Sequence, residues 1–216
     1  YAESGETSVI SAQTLKDMFS NTNNPFTFIS SKQLKDKCFS LDANLIETYF
    51  DSIALASQSY SQTAAAGQAG TLSSGTSTYL FSSNGFDFAE MIEKTIMGGV
   101  FMYQALNVYL GDDKMNVDNT SPVNPGAGQY YTTMQHHWDE AFGYWGSAAH
   151  ALTLSAEQNY NVAKKKDMVS ADFNGDGVVD VYSEYTYAHA YYASSYDKGG
   201  KTNYLATINQ AFIDGR

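Results

Sequence analysis

Residues 172–180 read Asp-Phe-Asn-Gly-Asp-Gly-Val-Val-Asp, a run in which oxygen-bearing side chains alternate with small or apolar ones. Asp172, Asn174 and Asp176 stand at positions 1, 3 and 5 of a calcium-binding loop. Gly177 stands at position 6, where such a loop turns sharply; Val178 offers a carbonyl at position 7, and Asp180 is at position 9. Calcium is a hard cation that takes six to eight oxygens, and this spacing folds oxygens around one point. Position 12, usually a bidentate Glu, is Ser183, and the acid follows as Glu184. The spacing therefore predicts a loop one residue longer, closed by Glu184 from the first turn of the next helix. Val179 is expected to point into the core. The plainer alternative is an Asn-Gly/Asp-Gly turn that binds nothing. A sensor usually carries paired loops; one loop suits a structural clamp.

The segment Gln135-His-His-Trp-Asp-Glu-Ala-Phe-Gly-Tyr-Trp145 is the second chemical candidate. On a helix, His136 and Glu140 are four apart and His137 and Glu140 three apart, so either pair shares a face. Each could supply two ligands to iron or zinc, or a histidine oriented by a carboxylate. Zinc catalysis needs a third ligand and an open position, and the only other histidines are His150 and His189. The alternative is a buried histidine satisfied by Glu140. Glu90, Glu93 and Lys94 form either a solvated face or an approach to the histidines.

These residues need helices to position them. Apolar spacing predicts a short helix at 15–19, another at 31–39, and a long one at 43–60 capped by Asp42. The Ala/Gly/Ser/Thr-rich, uncharged stretch 64–78 reads as a loop or connection, with tight packing of its small residues as the alternative. The strongest helical signal is 86–110, with Phe88, Ile92, Thr95, Gly99, Met102, Leu106 and Tyr109 on one stripe. Gly98-Gly99 in its middle implies close approach of a neighbour or a kink. Residues 111–128 read as a loop, and 131–145, 152–166, 181–196 and 201–213 as helices. Strand signals are sparse. The expected fold is all-α, a helical bundle with one EF-hand-like calcium loop. Residues 1–77 would form an N-terminal arm and first helices, and 78–216 the bundle core.

Composition narrows the function. The net charge is −11 and charged residues are only 16% of the 216, so Ser, Thr, Asn, Gln, Gly and 17 Tyr cover much of the surface. An acidic chain repels phosphate backbones, which argues against nucleic acid. No run approaches the ~20 apolar residues that span a bilayer. Cys38 is the sole cysteine, so no internal disulfide or Cys-based zinc site forms. The start at Tyr1 suggests a removed leader, and Arg216 follows directly on a helical pattern.

Residues 79–99, the 136–144 segment, the 172–184 loop and Phe-Ile-Asp-Gly-Arg at 212–216 occur in the same order in an uncharacterised family of bacterial exported proteins. Many of these are surface lipoproteins, and they resemble, at a distance, the imelysin-like proteins. The resemblance covers about 78–216. It implies an imelysin-like bundle, a likeness of His137 to Glu140 to the imelysin His-x-x-Glu motif (with Gln135 where that motif has Gly), and relatives that extend beyond Arg216. It also implies a link to iron uptake or peptidase activity.

The residues favour an exported, periplasmic or cell-surface protein, stabilised by calcium, that binds a surface ligand or self-assembles through its N-terminal arm. The alternatives are an iron-acquisition protein using His136, His137 and Glu140, and a metallopeptidase with Glu140 as base. The non-enzymatic role is favoured because no full catalytic ligand set is visible.

Overall fold

The computed structural model describes residues 9–22 and 31–216. The remainder of the expected arm, 1–8 and 23–30, lies outside the described residues. Described residues up to Val100 form one compact unit and Phe101–Arg216 another.

In the first unit, helix α1 (Ala12–Phe19) is capped by Ser11, whose hydroxyl accepts from the Thr14 amide. It packs on α2 (Ser40–Ser57) through an edge-on contact between Phe19 and Phe50, with ring centroids 5.6 Å apart. Ile46, Phe50 and Ile53 of α2 are buried with Phe19. Helix α2 begins three residues before the expected start, so Asp42 lies in its first turn rather than at its cap. The 31–39 helix is only one 3-10 turn, Lys35–Lys37.

The uncharged 64–78 stretch is not simply a loop. Strand β1 (Gly70–Ser74) pairs antiparallel with β2 (Ser77–Phe81), and Gly75-Thr76 connects them. Gly75 has φ +60°, the left-handed value that a primed hairpin turn requires at its first central residue.

Helix α3 (Phe88–Ile96) starts at Asp87, which accepts from the Glu90 amide. It continues into a π-helical segment, Met97–Tyr109, rather than further α-helix. The Leu110 amide reaches the Ala105 carbonyl at 3.0 Å, five residues back. That wider winding breaks the expected stripe. Val100, Gln104 and Ala105 are buried, whereas Met102 and Leu106 are about half exposed, at 49% and 54%. Close approach does explain Gly99: a Cβ there would meet the Asp42 Cβ at 2.9 Å, and its carbonyl accepts from the Phe39 amide. Gly98 has open space around it.

The second unit contains α4 (Asp112–Met115), β3 (Pro122–Asn124), β4 (Gln129–Thr132) and α5 (Thr133–Trp145). β3 and β4 form a second antiparallel pair. Thr132 and Gln135 form a reciprocal capping box at the start of α5, and Gly146, at φ +84°, ends it. Helices α6 (Ala156–Ala163), α7 (Met168–Ala171), α8 (Ala188–Asp197) and α9 (Tyr204–Gly215) follow. The core joins Ala148, Ala151, Ala190, Ala193 and Leu205, with Trp145 packed against them.

The fold is therefore mixed, about 54% helix and 10% strand with two small antiparallel sheets, and the expectation of an all-α, imelysin-like bundle is corrected. The strands escape a hydrophobic-pattern reading because β1 and β2 are rich in Ser and Thr and largely exposed, and β3 and β4 are only 3 and 4 residues long.

Candidate functional site

The loop from Asp172 to Glu184 is organised by its own side chains. Asp172 follows α7, and its Oδ1 accepts from the amides of Gly175 and Asp176 while Oδ2 accepts from Gly177. Asn174 accepts from the Asp176 amide at 2.9 Å, Asp176 from Val178 at 2.8 Å, and Asp180 from Tyr182 at 3.0 Å. Each acceptor at an odd loop position thus holds an amide further along. Gly175 and Gly177 have φ +74° and +84°, values that side-chain-bearing residues adopt at a cost. The Ser183 hydroxyl and the Tyr182 amide, bonded to Asp180, hold its carboxyl below the usual carboxylate range.

Glu184 closes the loop. Only 4% exposed, its Oε1 accepts from the amides of Phe173 and Asn174, both at 3.1 Å, and its Oε2 from Asp180 at 2.9 Å. None of the ion pairs among the described residues includes it. It stands in a turn, not in the first turn of a helix, since α8 begins at Ala188. Val179 is half-buried, and Val178 is 66% exposed with its carbonyl in the loop.

The loop is also tied to the α5–α6 connection. Ala149 donates to the Ser183 carbonyl at 2.7 Å, Ala148 to the Thr186 hydroxyl at 3.2 Å, and Tyr187 to the Gly146 carbonyl at 2.7 Å. His150 stacks on Phe173, with centroids 4.9 Å apart. These anchors were not foreseen; apolar Phe173 between Asp172 and Asn174 was their one sequence signal.

The loop has the right elements for a hard cation: three Asp, one Asn, one Glu and the Val178 carbonyl. Here its carboxylates are aimed at loop amides. Among the described residues, no three or more His, Cys, Asp or Glu converge as a metal-holding group.

The second candidate lies on α5. His137 Nδ1 is 3.1 Å from Glu140 Oε2, and His136 Nε2 is 3.7 Å from the same oxygen. The first is a hydrogen bond; the second is too long to be one. Aromatic rings surround the pair. Tyr109 stacks on Tyr144 at 5.5 Å, and Tyr131 stacks on His136 at 5.4 Å. Burial, then the charge and hydrogen bond of Glu140, push the Tyr109 phenol up to about 12. Glu140 thus gathers two histidines and one tyrosine, the last unnoticed in the sequence. His150 does not join them: its Nε2 donates to the Ser170 carbonyl, 3.0 Å away. Glu90 and Glu93 form an exposed cluster with Lys94, the solvated-face alternative.

No helix among the described residues is long and apolar enough to cross a membrane. No curated protein and no solved structure matches the chain. A family described as a domain of unknown function, DUF4856, matches residues 7–216, nearly the whole sequence, and the chain belongs to that family.

Proposed function

We propose that this is an exported or cell-surface bacterial protein in which the 172–184 loop binds calcium as a structural clamp, in the service of ligand binding or self-assembly. The observation that carries the reading is the setting of Glu184: a buried carboxylate in no ion pair among the described residues, bonded to backbone amides of a short loop that also carries Asp172, Asp176 and Asp180. Four acids in one thirteen-residue loop repel, and burial penalises a charge that has no counter-ion. A divalent cation offsets both, using lone pairs the amides leave over, the Asn174 oxygen and the Val178 carbonyl. Titration calorimetry with calcium, and melting with and without chelator, test it. Saturable binding with a raised melting temperature is expected. No heat and an unchanged melting temperature would remove the clamp.

A second reading is favoured by the shared oxygen of Glu140. His136, His137 and Glu140 would hold iron or zinc in metal acquisition, with Tyr109 as a neighbouring oxygen donor. Metal analysis after incubation with each ion tests this, the expected result being bound metal lost in His137→Ala. A peptidase role, with Glu140 as base, requires hydrolysis of a peptide panel that Glu140→Gln abolishes.

A further inference from the structure

The β1–β2 hairpin has two unlike faces. Leu72 pairs with Tyr79 and Gly70 with Phe81, so Leu72, Tyr79 and Phe81 fall on one face. Gly70 has no room for a side chain, since a Cβ there would meet the backbone of 62–64; that backbone lies alongside β1 through the Thr63–Thr71 bridge. The apolar side chains are not covered: Leu72 is 47% exposed and Tyr79 37%.

Two loops wall this platform. Ala64–Gln68 and Ser82–Gly85 enclose, with Leu72 and Phe81, a cavity of about 420 Å³; Tyr79, the cross-strand partner of Leu72, adjoins this lining on the same face without being part of it. That volume lies within the range of small-molecule sites, about 300–1,000 Å³. The walls carry amides and hydroxyls. The side chains of Ser83 and Asn84 bond no other described residue, so the Asn84 amide has its donors and acceptor available. Ser82 accepts from the Phe86 amide and Gly85 donates back to the Ser82 carbonyl, which fixes the wall that carries Asn84.

The chemistry of the cavity is set by a missing property. Residues 52–86 contain no Asp, Glu, Lys, Arg or His, in a chain that is otherwise acidic. A phosphate, sulfate, carboxylate or amine ligand would find no counter-charge there. An apolar platform with an exposed aromatic, rimmed by a side-chain amide and hydroxyls, complements a ligand with apolar ring faces and hydroxyl edges.

We propose that this hairpin face is a binding site for a neutral saccharide, stacked on Tyr79 and Leu72 and hydrogen-bonded by Asn84. The site belongs to the first unit and does not depend on the calcium loop.

The test is titration calorimetry of the full chain with maltohexaose, cellohexaose, chitohexaose and mannohexaose, with heparin as the charged comparator. At least one neutral oligosaccharide is expected to bind, with an affinity that changes little between low and high salt. Tyr79→Ala and Asn84→Ala should each weaken that binding about tenfold, the effect of removing one stacked ring or one good hydrogen-bonding group. Asn84→Ala removes a side chain that bonds nothing in the fold, so it reports on binding even if Tyr79→Ala perturbs the hairpin. Absence of binding to all four neutral sugars, unchanged affinity in both variants, or a salt-sensitive preference for heparin would each overturn the proposal.

Discussion

Glu184 Oε1 accepts the amide of Phe173 at 3.1 Å and so joins the last residue of the acidic loop to its second. The loop is thereby closed by its own chain before any ion is considered. Removing that carboxylate leaves three amides without their acceptor. Glu184→Ala is expected to cost about 3 kcal/mol in denaturant unfolding measured in chelator, because three part-buried bonds to a charged acceptor are lost. Glu184→Gln should cost less, since one oxygen remains. In calcium the gap between parent and both variants should widen.

The two mid-helix glycines should respond oppositely to a methyl group. Gly99→Ala places a Cβ 2.9 Å from Asp42 Cβ and is expected to destabilise by about 1–3 kcal/mol. Gly98→Ala meets nothing within 4 Å and should be neutral or stabilising by up to about 1 kcal/mol. Thermal melting of the two variants checks the pair.

Acid sensitivity is expected at Asp118. Its carboxylate accepts from the Thr120 hydroxyl and amide and from Ser121, which lowers it from 3.8 to about 2. A depressed folded value means the contribution is present above about 4 and is lost as pH falls toward about 2. A carboxyl titration by NMR should place the Asp118 midpoint near the lower value, and Thr120→Val should move it upward.

Alkaline sensitivity is expected at Tyr109, whose phenol is raised from 10.0 to about 12. A raised folded value means its contribution is intact below about 10 and is lost as pH rises through about 12. Ultraviolet difference titration of the parent against Tyr109→Phe should reveal one late-ionising phenol. Glu140→Gln should bring it down, since the Glu140 charge and hydrogen bond add to the effect of burial.

Much of the helical framework was legible because it depends on local pattern. The helices around 43–60, 131–145 and 201–213 are present, with ends moved by a few residues. The acidic loop could be read to its closing residue, because Glu184 is the next acid after Asp180. Three features were hidden for physical reasons. The β1–β2 hairpin buries little, so its strands lack an apolar alternation, and its signal was the Gly75-Thr76 turn flanked by Thr, Leu, Tyr and Phe. The π-helical winding of 97–109 changes which residues share a face, a property of hydrogen-bond register and not of residue type. Tyr109 meets Glu140 only through tertiary packing, 31 positions away in sequence numbering.

The amides of Ala148 and Ala149 are committed to Thr186 and Ser183, on the far side of the acidic loop. Whatever opens the loop must therefore release two amide protons in a segment that carries no acidic residue itself. Deuterium uptake at these two alanines becomes a gauge of loop closure, and calcium should slow their exchange without touching either residue.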